Sequence, residues 1–588
     1  MCGIIGYIGN QKASPMLLNG LKRLEYRGYD SCGIATVNSG LQMRKDIGKV
    51  SEVDAKQKFS ELEGTMGMAH TRWATHGGVT QQNAHPHTDC KNEIAVAHNG
   101  IIENYQELRT RLEKSGHVFK SQTDTEVVPH LIEALISEGN SFEGASKLAL
   151  KMLEGNYALL ILNNSERKLI ASRKGSPLVL GVAENGFFVA SDIPAFLDYT
   201  KKVMYLYDGD FVVLDDKIKI YNLDENKTVE RKIDSVDWDL EQAKKGEFDH
   251  YMMKEISEQV ETIQKAVKQD KIVIDYITDE IRNARGVFLV GCGTSYHACL
   301  TASYVFSKVA DMHVNVVLAS EFPYYEHFLN ERSLIIAVSQ SGETADLLEA
   351  VKAAKKKGCK IISLVNVMGS SLMRQSDRFL MLNAGPEICV ASTKAYTSQL
   401  AILTLLSYNL AGKQEDGKKR LEYLWNVLYN LTSRNMRNKI TELAGQLKNK
   451  NHIFLIGRGL QYPTALEAAL KIKEVSYIHA EALAGGELKH GTIALIENGT
   501  PCIVFVSEAH EKEILSNAVE IKSRGGFMIG VSPNNNEIFD FWIKVPEANS
   551  ENPIVQIIPM QILAYQLAVL RGLDPDMPRN LAKSVTVK

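Results

Sequence analysis

Val287-Phe288-Leu289-Val290-Gly291-Cys292-Gly293 returns later in the chain as Ile453-Phe454-Leu455-Ile456-Gly457-Arg458-Gly459, and each copy runs into a helix-like segment. An unbroken apolar run ending in a glycine turn is the pattern of a strand buried on both faces. The next apolar runs, Leu334 to Ser339 and Cys502 to Ser507, stand at nearly the same offset from their glycines. Helix and strand follow again in each copy: Ala345 to Lys357 then Ile361 to Val365, and Glu511 to Ser523 then Phe527 to Val531. This alternation predicts a doubly wound α/β unit with a mostly parallel sheet. Its repetition predicts two such domains related by duplication, over 256–430 and 431–575, with a tail at 576–588.

Upstream the pattern changes. Up to residue 222 the chain shows short β-runs (Gly3 to Ile8, Cys32 to Val37, Gly67 to Thr71, Ile94 to His98, Tyr157 to Leu162, Val203 to Val213) and a few helical stretches such as Asn104 to Lys114. This predicts an α+β domain over 2–222 with stacked antiparallel sheets. The polar stretch 223–255 lacks apolar periodicity until Tyr251 and reads as a linker. At 588 residues the chain is too long for one hydrophobic core. A net charge of −3 without basic runs points to neither nucleic acid nor membrane as partner. The N-terminus lacks a signal pattern and no apolar stretch is expected to approach the roughly 20 residues needed to span a bilayer, so a cytoplasmic protein is expected. Eight cysteines without CxxC pairs argue against a disulfide framework or zinc ribbon.

Several constellations carry chemistry. Removal of Met1 leaves Cys2 with a free α-amino group, which titrates at about 7.7–8 and can exchange a proton with the thiol. One residue then supplies nucleophile and base. A retained Met1 acylates that base and silences the mechanism. His98-Asn99-Gly100 follows a strand, where the Asn99 side-chain N–H and Gly100 backbone N–H suit an oxyanion hole. Gly293-Thr294-Ser295 and Ser339-Gln340-Ser341-Gly342-Glu343-Thr344 precede helices, and with Ser392 they suit a phosphate. In the second copy Glu508 and Glu511 stand where that phosphate would sit. It offers instead Glu467, Lys471 and Glu474 on one face of a segment too apolar for a free surface helix, which points to a polar cleft. The stretch with His70, His76, His85, His87, His98 and Cys90 raises a zinc reading, but no fourth ligand stands at a recognised spacing. No metal and no cofactor is expected.

Cys2-Gly3-Ile4, Tyr26 to Ser31, His70 to Gly77 and His98-Asn99-Gly100 resemble a class II glutamine amidotransferase domain. Gly291 to Tyr296, Ser339 to Thr344, Val390 to Ala395, Glu487 to Gly491 and Leu581 to Val587 resemble paired sugar-isomerase domains with their C-terminal extension. Together and in order they resemble the isomerising glutamine–fructose-6-phosphate aminotransferase family over essentially the full chain. The resemblance implies an N-terminal-nucleophile hydrolase domain of αββα layering followed by two sugar-isomerase domains and a tail that completes the sugar site. It implies that Cys2 attacks L-glutamine, with Asn99 and Gly100 at the oxyanion, and that Arg72, Trp73, Thr75, His76, Gly77 and Asp124 bind glutamine. For D-fructose 6-phosphate it implies Thr294, Ser295, Ser339, Gln340, Ser341, Thr344, Val390 and Ser392 as binding residues. Lys583 is then the Schiff-base lysine, His490 the ring-opening residue of a partner subunit's site, and Glu474 the C1–C2 base with Lys471 beside it, so a homodimer is implied. Thr492 and Cys389 depart from the family pattern without replacing a catalytic side chain. Two other readings compete: a glutamine amidotransferase with another acceptor, and a non-catalytic sugar-phosphate sensor. Neither accounts for the duplicated half together with Cys2, Glu474 and Lys583.

Overall fold

A computed structural model describes residues 2–236 and 245–586. The chain forms two compact units, Met1–Ala243 with Ala582–Lys588, and Lys244–Leu581.

In the first unit, strand Gly3–Gly9 lies inside an eight-stranded antiparallel sheet, between Gly186–Ala190 and Met66–Arg72. Strand Ile94–Ile102 belongs to a seven-stranded antiparallel sheet, between Gly155–Asn163 and His87–Thr88. Because side chains alternate along a strand, Ile4 and Ile8 face one way and meet Ala95, Ala97, Leu160 and Leu162 of the other sheet. Ile5 and Tyr7 face the opposite way, against Leu17 and Leu21 of helix Ala13–Leu24 and Val53 of helix Val50–Gln57. The outer face of the second sheet, through Val96, Leu159 and Ile161, packs on Leu108, Val128, Leu131, Ile132 and Ala149 of helices Tyr105–Lys114, Val127–Ser137 and Phe142–Met152. The result is four layers, helix, sheet, sheet, helix. Both faces of each sheet are buried, which is why these strands read as continuous apolar runs.

One expected strand is two. Val203 to Val213 divides into Lys202–Tyr205 in the first sheet and Asp210–Leu214 in the second. Gly209 turns the chain at φ +81°, and Asp210 Oδ2 accepts the Tyr207 N–H at 2.8 Å. The dipeptide Asp208-Gly209 marks this turn in the sequence, between two apolar runs that read as one strand only if it is ignored.

The second unit holds two five-stranded parallel sheets with the same strand order. In space the first runs Asn315–Leu318, Gly286–Gly291, Ser333–Val338, Lys360–Val365, Arg378–Met381. The second runs His479–Ala484, His452–Gly457, Pro501–Phe505, Phe527–Ser532, Phe541–Lys544. Order 2-1-3-4-5 in both places the switch in winding direction between the first and third strands. In the first copy that puts the ends of Gly286–Gly291 and Ser333–Val338, and so the loops at Thr294 and Ser339, side by side.

Two expectations along this unit change. Helix Tyr251–Val267 begins inside the expected linker, with Asp576 accepting the Tyr251 and Met252 N–H groups at 2.8 Å each; residues 237–244 of that linker lie outside the described residues. Contrary to the expectation that no apolar stretch approaches a membrane span, the segment Asn549–Leu570 is long and apolar enough to cross one. Its apolar window is 83% buried, and Ile557, Ile558, Ile562 and Leu563 sit in the core of this unit, so it serves as a central core helix.

Candidate functional site

Cys2 sits at the head of strand Gly3–Gly9, where pairing of Gly3 with Thr71 brings it beside the end of Met66–Arg72. Its Sγ accepts the Trp73 N–H at 3.2 Å and lies 3.5 Å from the Trp73 carbonyl oxygen. Burial pushes the Cys2 thiol up, while the Trp73 N–H and the Arg72 guanidinium pull it down. From the facing sheet, Asn99 Nδ2 donates to the Cys2 carbonyl at 2.9 Å, and Arg27 Nε donates to the same oxygen at 3.3 Å. Gly100 is at φ +128°, and a Cβ there would stand 2.0 Å from the Asn156 carbonyl oxygen, so a side chain does not fit beside Asn99. Packing of the two sheets thus places the expected nucleophile and the expected oxyanion group together.

Of the other residues expected to bind glutamine, Trp73, Thr75, His76 and Gly77 form the loop that follows Met66–Arg72. Arg72 donates from Nη1 to the Gly78 carbonyl at 3.1 Å and from Nη2 to the carbonyls of His76 and Gly77, so in this structure it fastens the loop that carries Thr75, His76 and Gly77. Asp30 Oδ2 accepts the Ala74 N–H at 2.9 Å, and Trp73 packs edge-on against Tyr29. Asp124 is buried, with Oδ2 accepting the Ile102 N–H at 2.8 Å and lying 3.9 Å from His98 Nδ1.

Of the histidines in the 70–98 stretch, all but His76 are core groups. His70 stacks on His85 at 4.2 Å between ring centres, and His87 meets His85 at 4.6 Å. His87 Nε2 lies 3.1 Å from Thr123 Oγ1, and His98 Nδ1 lies 2.8 Å from Thr125 Oγ1. Burial lowers all four, His70 to about 3 and His85 and His87 well below the usual value. His70, His85 and His87 are thereby held neutral in the fold and take protons when unfolded below about pH 6.5. Their stabilising contribution is therefore complete above pH 6.5 and falls with acid, at ~1.4 kcal/mol per pH unit for each histidine that stays neutral. The thermal midpoint of the first unit is expected to drop between pH 7 and 5.5, and a flat profile would contradict this assignment. The zinc set suggested by His85, His87 and Cys90 does not form: Cys90 Sγ lies instead 3.7 and 3.5 Å from the Nδ1 atoms of His117 and His130.

In the second unit, helix Gln461–Ser476 buries Glu467 and Lys471 completely. Lys471 Nζ lies 3.3 Å from Glu467 Oε1 and 2.6 Å from Glu474 Oε2, and donates to Thr294 Oγ1 at 2.9 Å. Thr294 in turn donates to Glu467 Oε1 at 3.1 Å, and His297 Nδ1 lies 2.8 Å from Glu467 Oε2. Burial alone would lower Lys471, but the Glu467 and Glu474 carboxylates outweigh it and raise it above its ordinary value, so it remains an ammonium. Thr294, expected with the phosphate, thus joins the acid–base face of the second copy. Ser295 accepts the Gln399 Nε2–H at 3.0 Å. His297, Gln399 and Glu387 went unnoticed in the sequence; the placement of His297 one turn into a helix opening with Gly293-Thr294 was its only signal.

The loop after Ser333–Val338 is compact. Ser339 Oγ accepts the Gly342 N–H at 2.9 Å and lies 3.5 Å from Thr344 Oγ1, and Ser341 Oγ accepts the Glu343 N–H at 3.2 Å. Gln340 is half-buried at this loop, which opens helix Ala345–Lys356. Ser392 donates to Glu387 Oε2 at 3.0 Å, and the buried Val390 donates its N–H to the Asp576 carbonyl. His490 is exposed on the short helix Glu487–His490. Lys583 belongs to Ala582–Lys588, the segment grouped with the first unit.

Comparison with known proteins agrees with this division. The glutamine amidotransferase domain family matches residues 70–198, and the SIS domain family matches 280–407 and 446–571. The isomerizing glutamine–fructose-6-phosphate aminotransferase of Methanothermobacter thermautotrophicus is 46% identical over 600 residues, covering 100% of both chains. That of Pyrococcus horikoshii is 47% identical over 599 residues, again with 100% coverage of both. Among solved structures, the C-terminal domain of glucosamine-fructose-6-phosphate aminotransferase from Francisella tularensis is 36% identical with TM-score 0.53, covering 57% of this chain and 99% of that one. With a glutamine amidotransferase domain ahead of two SIS domains and relatives that match from end to end, the chain belongs to the isomerizing glutamine–fructose-6-phosphate aminotransferase family.

Proposed function

We propose that this protein converts L-glutamine and D-fructose 6-phosphate to D-glucosamine 6-phosphate and L-glutamate. The observation that carries the reading is the presence in one chain of Cys2, seated on the Trp73 N–H beside Asn99, and of the buried Glu467–Lys471–Glu474 set against Thr294. In the first unit, which we assign to the N-terminal-nucleophile hydrolases for its four layers and terminal thiol, the Cys2 α-amino group takes the thiol proton. The sulfur attacks the glutamine carboxamide, and the same amine returns the proton to the leaving ammonia. Water then hydrolyses the glutamyl thioester. Asn99 and Gly100 steady the oxyanion, Arg72 and Asp124 hold the glutamine α-carboxylate and α-amino groups, and Trp73, Thr75, His76 and Gly77 line the pocket. Asn99→Ala is expected to lower glutaminase kcat by about 10²–10³-fold, read as glutamate release.

In the second unit, Ser339, Gln340, Ser341, Thr344, Val390 and Ser392 bind the sugar phosphate with Thr294 and Ser295. The Lys583 amine condenses with the C2 carbonyl and water leaves, ammonia displaces the lysine to give the C2 imine, and Glu474 carries a proton from C1 to C2 while the O1 proton passes to nitrogen, turning ketose into aldose. Lys471, with Nζ 2.6 Å from Glu474 Oε2, holds that side chain in place. His490, being exposed, opens the ring in the site of a second copy, so the working species is a homodimer. None of the eight cysteines is in a disulfide, which suits the reducing cytoplasm where we place the protein.

The test incubates Met-processed protein with glutamine, with and without fructose 6-phosphate. Equal amounts of glucosamine 6-phosphate and glutamate, with glutamate release falling when the sugar is omitted, are expected. Glutamate without amino sugar would redirect the search to another acceptor, and neither product despite sugar binding would indicate a sensor.

A further inference from the structure

Cys90, His117, His130 and Glu133 converge at a point that the glutamine reaction does not use. Cys90 lies in the turn between His87–Thr88 and Ile94–Ile102, His117 in the loop after Tyr105–Lys114, and His130 and Glu133 one turn apart on helix Val127–Ser137. One ligand atom from each lies within 4.8 Å of all the others. Cys90 Sγ is 3.7 and 3.5 Å from His117 Nδ1 and His130 Nδ1, and those two nitrogens are 3.4 Å apart. Glu133 Oε2 is 3.0 Å from His117 Nδ1 and 3.5 Å from His130 Nδ1. A tetrahedral zinc ion with bonds of ~2.0–2.3 Å requires ligand atoms about 3.3–3.6 Å apart, and these five separations bracket that length. A shared proton can join one pair of these atoms, whereas a metal at their centre accounts for all of them.

We propose that these four residues form a structural zinc site in the amidotransferase unit. Zinc binds as the Cys90 thiol releases its proton, both imidazoles bind neutral through Nδ1, and Glu133 binds as carboxylate. The site then has no net charge, which suits the burial of His130 and Glu133. Four protein ligands leave no open position, the arrangement of a structural rather than a catalytic ion. His130 Nε2 is 3.8 Å from Glu126 Oε1, which supplies the outer carboxylate that orients a metal-bound histidine. Glu126 itself accepts the Lys120 and Ser121 N–H groups at 2.7 and 2.6 Å. The ion would therefore clamp the turn, the loop and the helix, and with them the segment Gln122–Glu126 that carries Asp124. Exposed Cys90 leaves a path for the ion to enter.

The full chain, stripped with a chelator and dialysed against zinc chloride, is expected to retain one zinc per chain and to melt higher than the stripped form. Cobalt in place of zinc is expected to give the strong visible bands of tetrahedral coordination and a sulfur-to-cobalt charge-transfer band that Cys90→Ser removes. In the unmutated chain, zinc is expected to slow alkylation of Cys90 by about tenfold or more, read by peptide mapping. Absence of retained zinc, a cobalt spectrum unchanged in Cys90→Ser, or alkylation of Cys90 at equal rates with and without zinc would each overturn the proposal. None of these outcomes bears on the aminotransferase reading, since none of the four ligands is assigned to either substrate.

Discussion

Cys2→Ser is expected to abolish glutamine-dependent glucosamine 6-phosphate formation, with glutamate release falling on the order of 10⁴–10⁶-fold, the scale seen when an enzyme loses its nucleophile. The effect is chemical. A serine hydroxyl still accepts the Trp73 N–H that Sγ accepts at 3.2 Å, so the strand head and the Asn99 contact to the Cys2 carbonyl stay in place. What disappears is a thiol that the neighbouring amine can deprotonate near neutral pH. Thermal midpoint and fructose 6-phosphate affinity, measured by calorimetry, should match the unmutated protein, because Cys2 is in the first unit and the loops at Ser339 and Ser392, proposed to bind the sugar phosphate, are in the second. Substantial glutaminase activity in Cys2→Ser would place the nucleophile elsewhere and defeat the assignment.

Lys471→Met is expected to destabilise the second unit by about 3–5 kcal/mol and to abolish amino-sugar formation, because it leaves the Glu467 and Glu474 carboxylates facing each other without their cation. Lys471 is raised above its ordinary value, so its stabilising contribution is complete below about pH 10.5 and is lost only as pH rises through the folded value. The stability gap between variant and parent should therefore persist across the whole neutral range in urea denaturation. Adding Glu467→Leu removes the second buried charge and is expected to recover much of the lost stability, since an apolar replacement of a buried pair is often neutral. Activity should stay lost. Recovery of both would make Lys471 a structural residue and remove it from the reaction, and an unchanged denaturation midpoint in Lys471→Met would contradict its burial.

Much of this was legible in residues. The echo of Val287–Gly293 in Ile453–Gly459 was enough to foresee two parallel sheets of one topology, because strands buried on both faces write themselves as apolar runs. Inside Val203 to Val213 the turn is written as Asp208-Gly209, but the pairing of its two halves with different sheets is a property of the assembled layers and is not written there. Asn549–Leu570 shows the same limit: its composition suits a membrane span, and the core around it makes it a buried helix.

The sequence by itself determined the order of domains, the terminal thiol and the charged face Glu467–Lys471–Glu474, because local spacing and helical period are written along the chain. Only the tertiary structure decided that Thr294 of one copy completes the charged face of the other, that His70, His85, His87 and His98 are buried core groups, and that Cys90 meets His117, His130 and Glu133. Those contacts join residues distant in sequence through the packing of separate elements, so no local period or spacing encodes them.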